Sequence, residues 1–329
     1  MSSFKALILR EKPLFSATVE TITLDDLPNV GDVVVAVEWS GINYKDALAV
    51  TNSGKIVRGA FPFVPGIDLA GKVFSSTNPE FQPGDRVLST GWGLGENKWG
   101  GYSEYQRLSS SSLIRLPAKW SSRDAMTIGT AGLTAMLAAM EIEKGPGDKN
   151  GAFLVTGATG GVGSFSVMAL ADLGYSVVAS TGKVNSHPYL INLGASDIIE
   201  RNELSGGART LLDSSKWAGC VDSVGSKTLE AIVSQTARHG TIAVCGLAGG
   251  TSLETSVFPF ILRGIRLIGI DSNTCPNEVR QEAWDRLCVL ASNHKLDDMS
   301  HEVSLDGIVT AAEQLMKGKI TGRIVVRVS

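Results

Sequence analysis

One stretch of nine residues could hold a pyrophosphate against the main chain: Val155-Thr156-Gly157-Ala158-Thr159-Gly160-Gly161-Val162-Gly163. It follows an apolar segment, 151–156, that reads as a strand. It opens a helical segment, 161–173, whose apolar face is Val162, Phe165, Val167, Met168 and Leu170. Read as A-x-G-x-x-G, it matches the dinucleotide fingerprint with Ala158 in the first glycine position. Gly160 lets the backbone approach the pyrophosphate, and Gly163 lets the helix pack close to the strand. The helix N-terminus, with Thr159, Gly161 and Val162, supplies N–H donors to the phosphates. The plain alternative is a tight strand-to-helix turn with no ligand. A nucleoside-triphosphate loop is excluded, because no Gly-Lys-Ser/Thr ends the motif.

The end of the next strand, 176–180, discriminates between cofactors. An NAD site places Asp or Glu there for the ribose hydroxyls. This chain has Ser180-Thr181-Gly182-Lys183. Hydroxyls and an ammonium suit a 2′-phosphate, and the carboxylate that would repel it is missing. The expected cofactor is therefore NADPH rather than NADH. The alternative for Lys183 is an ordinary solvated loop lysine.

Metal chemistry finds little support. Cys220, Cys245, Cys275 and Cys288 form no C-x-x-C pair, and no histidine sits near them at ligand spacing. His187, His239, His294 and His301 do not cluster. Disulfides are not expected, and a reducing cytoplasm is the natural compartment. The N-terminal run MSSFKALILREK is too short in apolar residues for a signal peptide, and no apolar stretch reaches membrane-spanning length.

These sites need elements to position them. The chain has 329 residues, which suggests about two domains. Hydrophobic residues at 43% and charged residues at 19% exclude wholesale disorder. A net charge of −3 gives no reason to expect nucleic acid or an anionic membrane as partner. The first third reads as short strands, 4–9, 17–24 and an alternating run at Val33, Val35, Val37 and Trp39, separated by Pro/Gly turns. That pattern implies an antiparallel or barrel-like unit. From about residue 120 the character changes. Ser122 is a plausible N-cap for a helix, and a second helical run follows over 130–142. Strands and helices then alternate: strand 151–156, helix 161–173, strand 176–180, helix 187–193, strand 218–223, helix 226–237, strands 240–245 and 266–271. This rhythm predicts an α/β fold, a doubly wound parallel sheet (Rossmann) domain beside the β-rich unit. Helices near 277–292 and 305–317 and a strand 322–328 complete the chain. The last strand could pair back onto the first domain.

Several longer stretches carry a family resemblance: Asn43-Tyr44-Lys45-Asp46-Ala47-Leu48, Phe63-Val64-Pro65-Gly66-Ile67-Asp68, and Gly91-Trp92-Gly93-Leu94-Gly95-Glu96-Asn97-Lys98-Trp99-Gly100-Gly101. Ile128-Gly129-Thr130-Ala131-Gly132 and Pro259-Phe260-Ile261-Leu262-Arg263 add to them. Together with the glycine turn they are similar to the acrylyl-CoA reductase and quinone oxidoreductase group of the medium-chain dehydrogenase/reductase superfamily. The resemblance implies a GroES-like catalytic domain over 1–124 and 274–329 and a Rossmann domain over 125–273. It also implies the absence of zinc. Zinc alcohol dehydrogenases of the superfamily carry Cys where this chain has Asn43 and His where it has Ile67, and their structural-zinc cysteines are missing from 89–101.

Without a Lewis acid, polarising a simple alcohol or carbonyl is harder, and an alkene conjugated to a thioester or ketone is a better hydride acceptor. The implied activity is NADPH-dependent reduction of acrylyl-CoA to propionyl-CoA. The alternatives are a broader quinone or enone reductase, or a non-catalytic NADPH-binding protein. The resemblance places Asn43 and Tyr44 near the nicotinamide as candidate donors to an enolate oxygen, with Tyr44 or solvent delivering the proton and Asp46 orienting the network. Tyr44 also reads as a packing aromatic, Asp46 as a helix cap and Asp68 as a structural carboxylate. Further cofactor contacts implied are Arg201, Leu247, Ile261, Ser272 and Lys319. An acyl-CoA partner carries phosphates, for which Lys55, Arg58 and Lys98 are the candidate cations. The strand 266–271 has no evident later partner, so a homodimer is expected.

Overall fold

The computed structural model describes residues 3–292, 294 and 296–329. The chain divides into two compact units, Met1–Thr130 with Lys295–Ser329, and Ala131–His294.

The first unit begins with a hairpin. β1 (Ser3–Arg10) and β2 (Ser16–Thr23) pair antiparallel from Ser3↔Thr23 to Arg10↔Ser16. β3 (Val33–Ile42) follows, its alternating Val33, Val35 and Val37 fully buried as a half-buried strand requires. It leads through Asn43 into α1 (Tyr44–Val50). β4 (Asp68–Ser76), β5 (Arg86–Thr90), β6 (Tyr105–Leu108) and β7 (Ile114–Arg115) are all antiparallel to their neighbours: β4 on β3, β5 on β4, β7 on β5 and β6 on β3. Leu69, Val73, Val87 and Leu108 from these strands share one apolar core with Val33, Val35 and Val37.

α2 (Ser122–Glu143) crosses the boundary between the units and breaks at Gly129 (φ 48°, ψ −155°). The expected Ser122 cap is displaced by one residue. Ser121 Oγ accepts from the Asp124 N–H at 3.0 Å while Asp124 Oδ2 accepts from the Ser121 N–H at 2.9 Å. The Ser122 hydroxyl instead donates to Glu38. By length and hydropathy α2 would pass for a membrane span, contrary to the expectation that no stretch of the chain does. However, 89% of its most apolar window is buried inside the protein, so it is a core helix.

The second unit holds β8 (Ala152–Val155), α3 (Gly161–Asp172), β9 (Ser176–Thr181), α4 (His187–Asn192), β10 (Asp197–Glu200), α5 (Asn202–Ser205), β11 (Trp217–Asp222), α6 (Ser226–Gln235), β12 (Thr236–Val244), α7 (Phe258–Arg263), β13 (Arg266–Gly269) and α8 (Asn277–Ser292). Its six strands form one parallel sheet in the order β10-β9-β8-β11-β12-β13. That is the doubly wound order, and its direction reverses beside β8, the strand that feeds the glycine turn. β10, α5 and α7 are not anticipated from the sequence. β10 is only four residues with an acid at each end, and α7 has a proline as its second residue while exposing Phe258, Ile261 and Leu262.

The chain returns to the first unit through β14 (Ser300–Ser304), α9 (Ile308–Met316) and β15 (Arg323–Arg327). The return comes later than residue 274 because α8 belongs to the second unit. There it packs on α3, and Arg286 pairs with Glu143. β15 pairs antiparallel with β3, Ile324 opposite Ile42, and parallel with β14. The expectation that the last strand closes back on the first domain therefore holds, while the polar strand β14 is an addition.

Candidate active site

In the first unit the side chains collect around Asn43, at the junction of β3 and α1. Asp46, the third residue of α1, accepts the Asn43 backbone N–H at 2.8 Å, one arm of a capping box. Its other oxygen accepts the Ile67 N–H at 2.9 Å. The Asn43 amide nitrogen donates to Asp46 Oδ2 at 3.1 Å and to Asp68 Oδ2 at 2.8 Å. Asp68 Oδ2 also accepts the Thr130 N–H at 3.0 Å, and Asp68 Oδ1 accepts the Thr130 hydroxyl. Arg323, the first residue of β15, completes the cluster. Its Nη1 donates to Asn43 Oδ1 at 3.1 Å and to the Ile42 carbonyl at 3.3 Å, its Nε donates to the Thr127 carbonyl at 2.9 Å, and Nη2 lies 3.8 Å from Asp68 Oδ2. Strand pairing explains the meeting: register places Ile324 beside Ile42, so Arg323 falls next to Asn43.

The cluster is dry. Asp46 is 1% exposed, Asp68 fully buried and Arg323 3% exposed. Burial, aided by the neighbouring Asp68, pushes the Asp46 carboxyl up to about 7, against hydrogen bonds from Asn43 and Ile67 that favour its ionised form. Burial lowers the pKa of Arg323, which Asp68 and Asp46 pull the other way. Gly129, at the break in α2, is required here: it holds a left-handed φ, and a Cβ on it would stand 2.6 Å from Asp68 Oδ2.

This geometry revises the role expected of Asn43. An amide has two N–H hydrogens, and both are committed, one to each carboxylate. Asn43 has no hydrogen left for an enolate oxygen. Both oxygens of Asp46 are likewise engaged, one in the helix cap and one as a brace for Ile67. Tyr44, by contrast, is the first residue of α1 and 38% exposed. Beside it, Lys45 Nζ donates to Glu96 Oε1 at 2.7 Å, tying α1 to the Trp-Gly-rich loop. The Arg58 N–H donates to the Glu96 carbonyl at 2.7 Å, which brings the 55–58 segment to the same loop as Lys98. Lys55, Arg58 and Lys98 are exposed.

In the second unit the glycine turn forms as anticipated, with one change of detail. The left-handed residue is Gly157 (φ 55°), and Ala158 follows it fully buried. Gly160 caps α3, and a Cβ on Gly163 would stand 2.3 Å from the Gly157 carbonyl oxygen, so only glycine permits this approach of helix to turn. Gly161 and Val162 begin the helix, and their N–H groups belong to its unbonded first turn. Ser180 and Thr181 end β9, buried, and the Ser180 carbonyl accepts the Ala158 N–H at 3.2 Å. The Arg201 N–H donates to the Thr181 carbonyl at 3.0 Å. Its side chain runs so close to Gly182 that a Cβ there would be 2.7 Å from Nε. Burial lowers the pKa of Lys183. Ala158, Thr159 and Gly160–Gly163 are thus gathered with Ser180–Lys183 and Arg201 at the carboxyl ends of β8, β9 and β10.

Sequence reasoning missed the support beneath this turn. Thr156 Oγ1 donates to Asp222 Oδ1 at 2.6 Å, and Asp222 accepts the Val224 and Gly225 N–H groups. Ser223 Oγ donates to the Thr156 carbonyl at 3.0 Å. Burial raises the Asp222 pKa, the hydrogen bonds opposing it. The available signal was an acid ending the otherwise apolar strand 217–222. Ser223 packs under Gly246 and so sets Leu247, half-exposed, near the turn. Ser272 Oγ accepts from Thr134 Oγ1 at 2.8 Å. Ile261 is 69% exposed on α7. Tyr44 and Lys319 lie in the first unit.

Comparison with known proteins gives a consistent result. Residues 29–118 match the alcohol dehydrogenase GroES-like domain and residues 161–288 the zinc-binding dehydrogenase family. The chain is 43% identical to the acrylyl-CoA reductase AcuI of Ruegeria pomeroyi over 99% of both chains. It superposes on the crystal structure of Escherichia coli K-12 YhdH with bound NADPH at a TM-score of 0.94, with 45% identity, covering 98% of this chain and 100% of that one. The Bacillus subtilis protein yhfP with NAD bound gives the same TM-score at 41% identity, covering 99% and 100%.

Proposed function

The chain belongs to the medium-chain dehydrogenase/reductase superfamily, and from that premise we propose that it is a zinc-independent, NADPH-dependent reductase of activated C=C bonds, with acrylyl-CoA as substrate and propionyl-CoA as product. The observation that carries the metal-free reading is the saturation of the Asn43 cluster. All four oxygens of Asp46 and Asp68 already accept N–H or O–H donors, and the Arg323 guanidinium stands among them. A zinc ion would have to compete with these donors for the same oxygens, next to a buried cation. No three His, Cys, Asp or Glu side chains group as metal ligands among the described residues.

The glycine turn fits a dinucleotide. The Gly163–Gly157 approach and the open first turn of α3 would receive the pyrophosphate, and Ser180, Lys183 and Arg201 offer a hydroxyl and two cations, with no carboxylate ending β9, for a 2′-phosphate. Bound NADPH supplies a hydride for the β-carbon of the substrate. The chain's part is to meet the negative charge that develops on the thioester oxygen. Tyr44 is the group for it: its hydroxyl donates to that oxygen, and Tyr44 or solvent returns a proton to the α-carbon. Asn43 and Asp46 are positioning residues. They fix the first turn of α1 and so the direction of Tyr44, and Arg323 and Asp68 hold them. Arg58, Lys55 and Lys98 are the candidates for the phosphates of coenzyme A.

The same reading includes a homodimer in the cytoplasm. β13 is the outer strand of the parallel sheet, half-exposed, and Ile261, Leu262 and Phe258 of the adjacent α7 are exposed and apolar. All four cysteines are free. The experiment is NADPH oxidation with acryloyl-CoA and, in parallel, with a small quinone, for the native chain and Tyr44→Phe. We expect acryloyl-CoA to be reduced with the higher kcat/KM, and Tyr44→Phe to lower that kcat by roughly 10²-fold or more. Preference for the quinone would replace the substrate, and an unchanged kcat would remove Tyr44 from the chemistry.

A further inference from the structure

Arg58 and Lys98, two of the cations offered to the phosphates of coenzyme A, stand on one piece of folded main chain. The N–H groups of Glu96, Asn97 and Lys98 all donate to the Gly93 carbonyl, at 3.1, 3.0 and 3.1 Å, and the Lys98 carbonyl accepts the Gly95 N–H at 2.9 Å. The Glu96 carbonyl accepts the N–H groups of Arg58 and Gly59, at 2.7 and 3.3 Å. This platform rests on the segment before Ile67. The Gly100 N–H donates to the Val64 carbonyl at 2.7 Å and the Gly101 N–H to the Gly66 carbonyl at 2.8 Å. A Cβ on Gly95 would stand 2.8 Å from the Gly66 carbonyl carbon, so loop and segment meet main chain to main chain.

The Lys45 side chain joins the platform to the first turn of α1. Its Nζ donates to Glu96 Oε1 at 2.7 Å, with the Lys45 side chain 37% exposed and that of Glu96 only 7%. A carboxylate so buried calls for a cation beside it. The residues on either side of Tyr44 are therefore fixed from different directions: Asn43 by Asp68 and Arg323, Lys45 by the platform. Because its ammonium is committed to a carboxylate, Lys45 is a poor seat for a phosphate.

We propose that the Lys45–Glu96 pair is a specificity-determining tie. It sets the distance between the cations that hold coenzyme A and the Tyr44 hydroxyl, so that a thioester anchored by its phosphates meets Tyr44 in reacting position. This role rests on the acyl-CoA substrate proposed above. Lys45 and Glu96 are positioning residues, acting through Tyr44 and through the platform. Binding of a remote part of a substrate raises kcat only when that part is held in fixed register with the reacting centre. The tie supplies that register for a CoA thioester and adds nothing for a substrate without phosphates.

The test is steady-state reduction, with NADPH, of acryloyl-CoA and of S-acryloyl-N-acetylcysteamine, the same thioester without the phosphates. Lys45→Met leaves Glu96 buried without its cation, so the double variant Lys45→Met/Glu96→Gln, which removes both charges, is measured beside it. In either variant kcat for acryloyl-CoA should fall roughly tenfold or more while its KM stays within about threefold, because the phosphate contacts remain. The kcat/KM for the truncated thioester should fall by less than about threefold. Lys45→Arg keeps the ion pair and should restore kcat on acryloyl-CoA. Equal losses on the two thioesters would mean that the pair serves the fold or Tyr44 alone, and a raised KM with kcat retained would make Lys45 a binding residue. Either result overturns the proposal, as does an unchanged kcat. Native protein that reduces neither thioester would remove the acyl-CoA reading itself and this role with it, a result distinct from variants that behave like the native chain.

Discussion

The Asn43 cluster and the glycine turn solve opposite problems. The cluster is made of side chains, dry and charged, that fix one short helix. The turn is made almost wholly of main chain, and its specificity lies in the side chains it excludes: a Cβ at Gly163 would meet a carbonyl oxygen at 2.3 Å. The cluster is buried, and its hydrogen bonds fix the first turn of α1, on which Tyr44 stands. The turn presents the N–H groups of the first turn of α3 and rests on the buried Thr156–Asp222 hydrogen bond. The difference teaches that a buried set of polar side chains can serve to position a neighbour rather than to react. On Asn43 both N–H groups are already engaged, one with each carboxylate.

The sharpest way to break the comparison is to remove one partner from the cluster. Arg323→Leu leaves Asp68 buried without its cation and should cost about 3–5 kcal/mol of stability, read by denaturant unfolding. A loss below 1 kcal/mol would mean that the cluster does not bear on the fold.

Next in size, Asp46→Asn tests the charge state within the cluster. The folded Asp46 carboxyl sits at about 7, above its ordinary value of 3.8. A carboxyl raised on folding lends stability that is fully present below about 4 and is lost as pH rises through about 7. The native chain should therefore lose roughly a few kcal/mol from this group across that window, whereas Asp46→Asn should lack that slope in Tm against pH. Parallel curves would contradict the raised value.

For the turn, Gly163→Ala should cost roughly 1–3 kcal/mol, because the methyl group has backbone to displace, and it should weaken NADPH. The unfolding of the first unit should be unaffected. The mildest change is Lys183→Ala, for which the Kd of NADPH should rise roughly tenfold with that of NADH nearly unchanged. Equal losses with both would show that Lys183 supports the loop and not the 2′-phosphate.

How much was legible in the sequence follows the same division. The turn is contiguous, and its chemistry is written in nine residues between a strand and a helix, so Gly160, Gly163, Ser180 and Lys183 could be placed by reading along the chain. The cluster could not. Asn43 meets Asp68 from 25 residues away and Arg323 from 280, through a strand pairing that no local pattern specifies. Arg323 was invisible as a site residue for that reason. Asp46 was visible as a candidate, yet whether it caps or reacts depended on the Ile67 N–H that occupies its second oxygen. The parallel sheet was largely legible from the strand–helix rhythm. Its short strand β10, with an acid at each end, and the exposed apolar α7 were not, because tertiary contacts rather than local propensity hold them.

The most direct measurement of the central claim is the rate of NADPH oxidation with acryloyl-CoA by protein dialysed against a chelator, before and after zinc is added. Full turnover in the chelated protein and no increase with zinc are expected. Turnover that appears only after zinc is restored would contradict that claim.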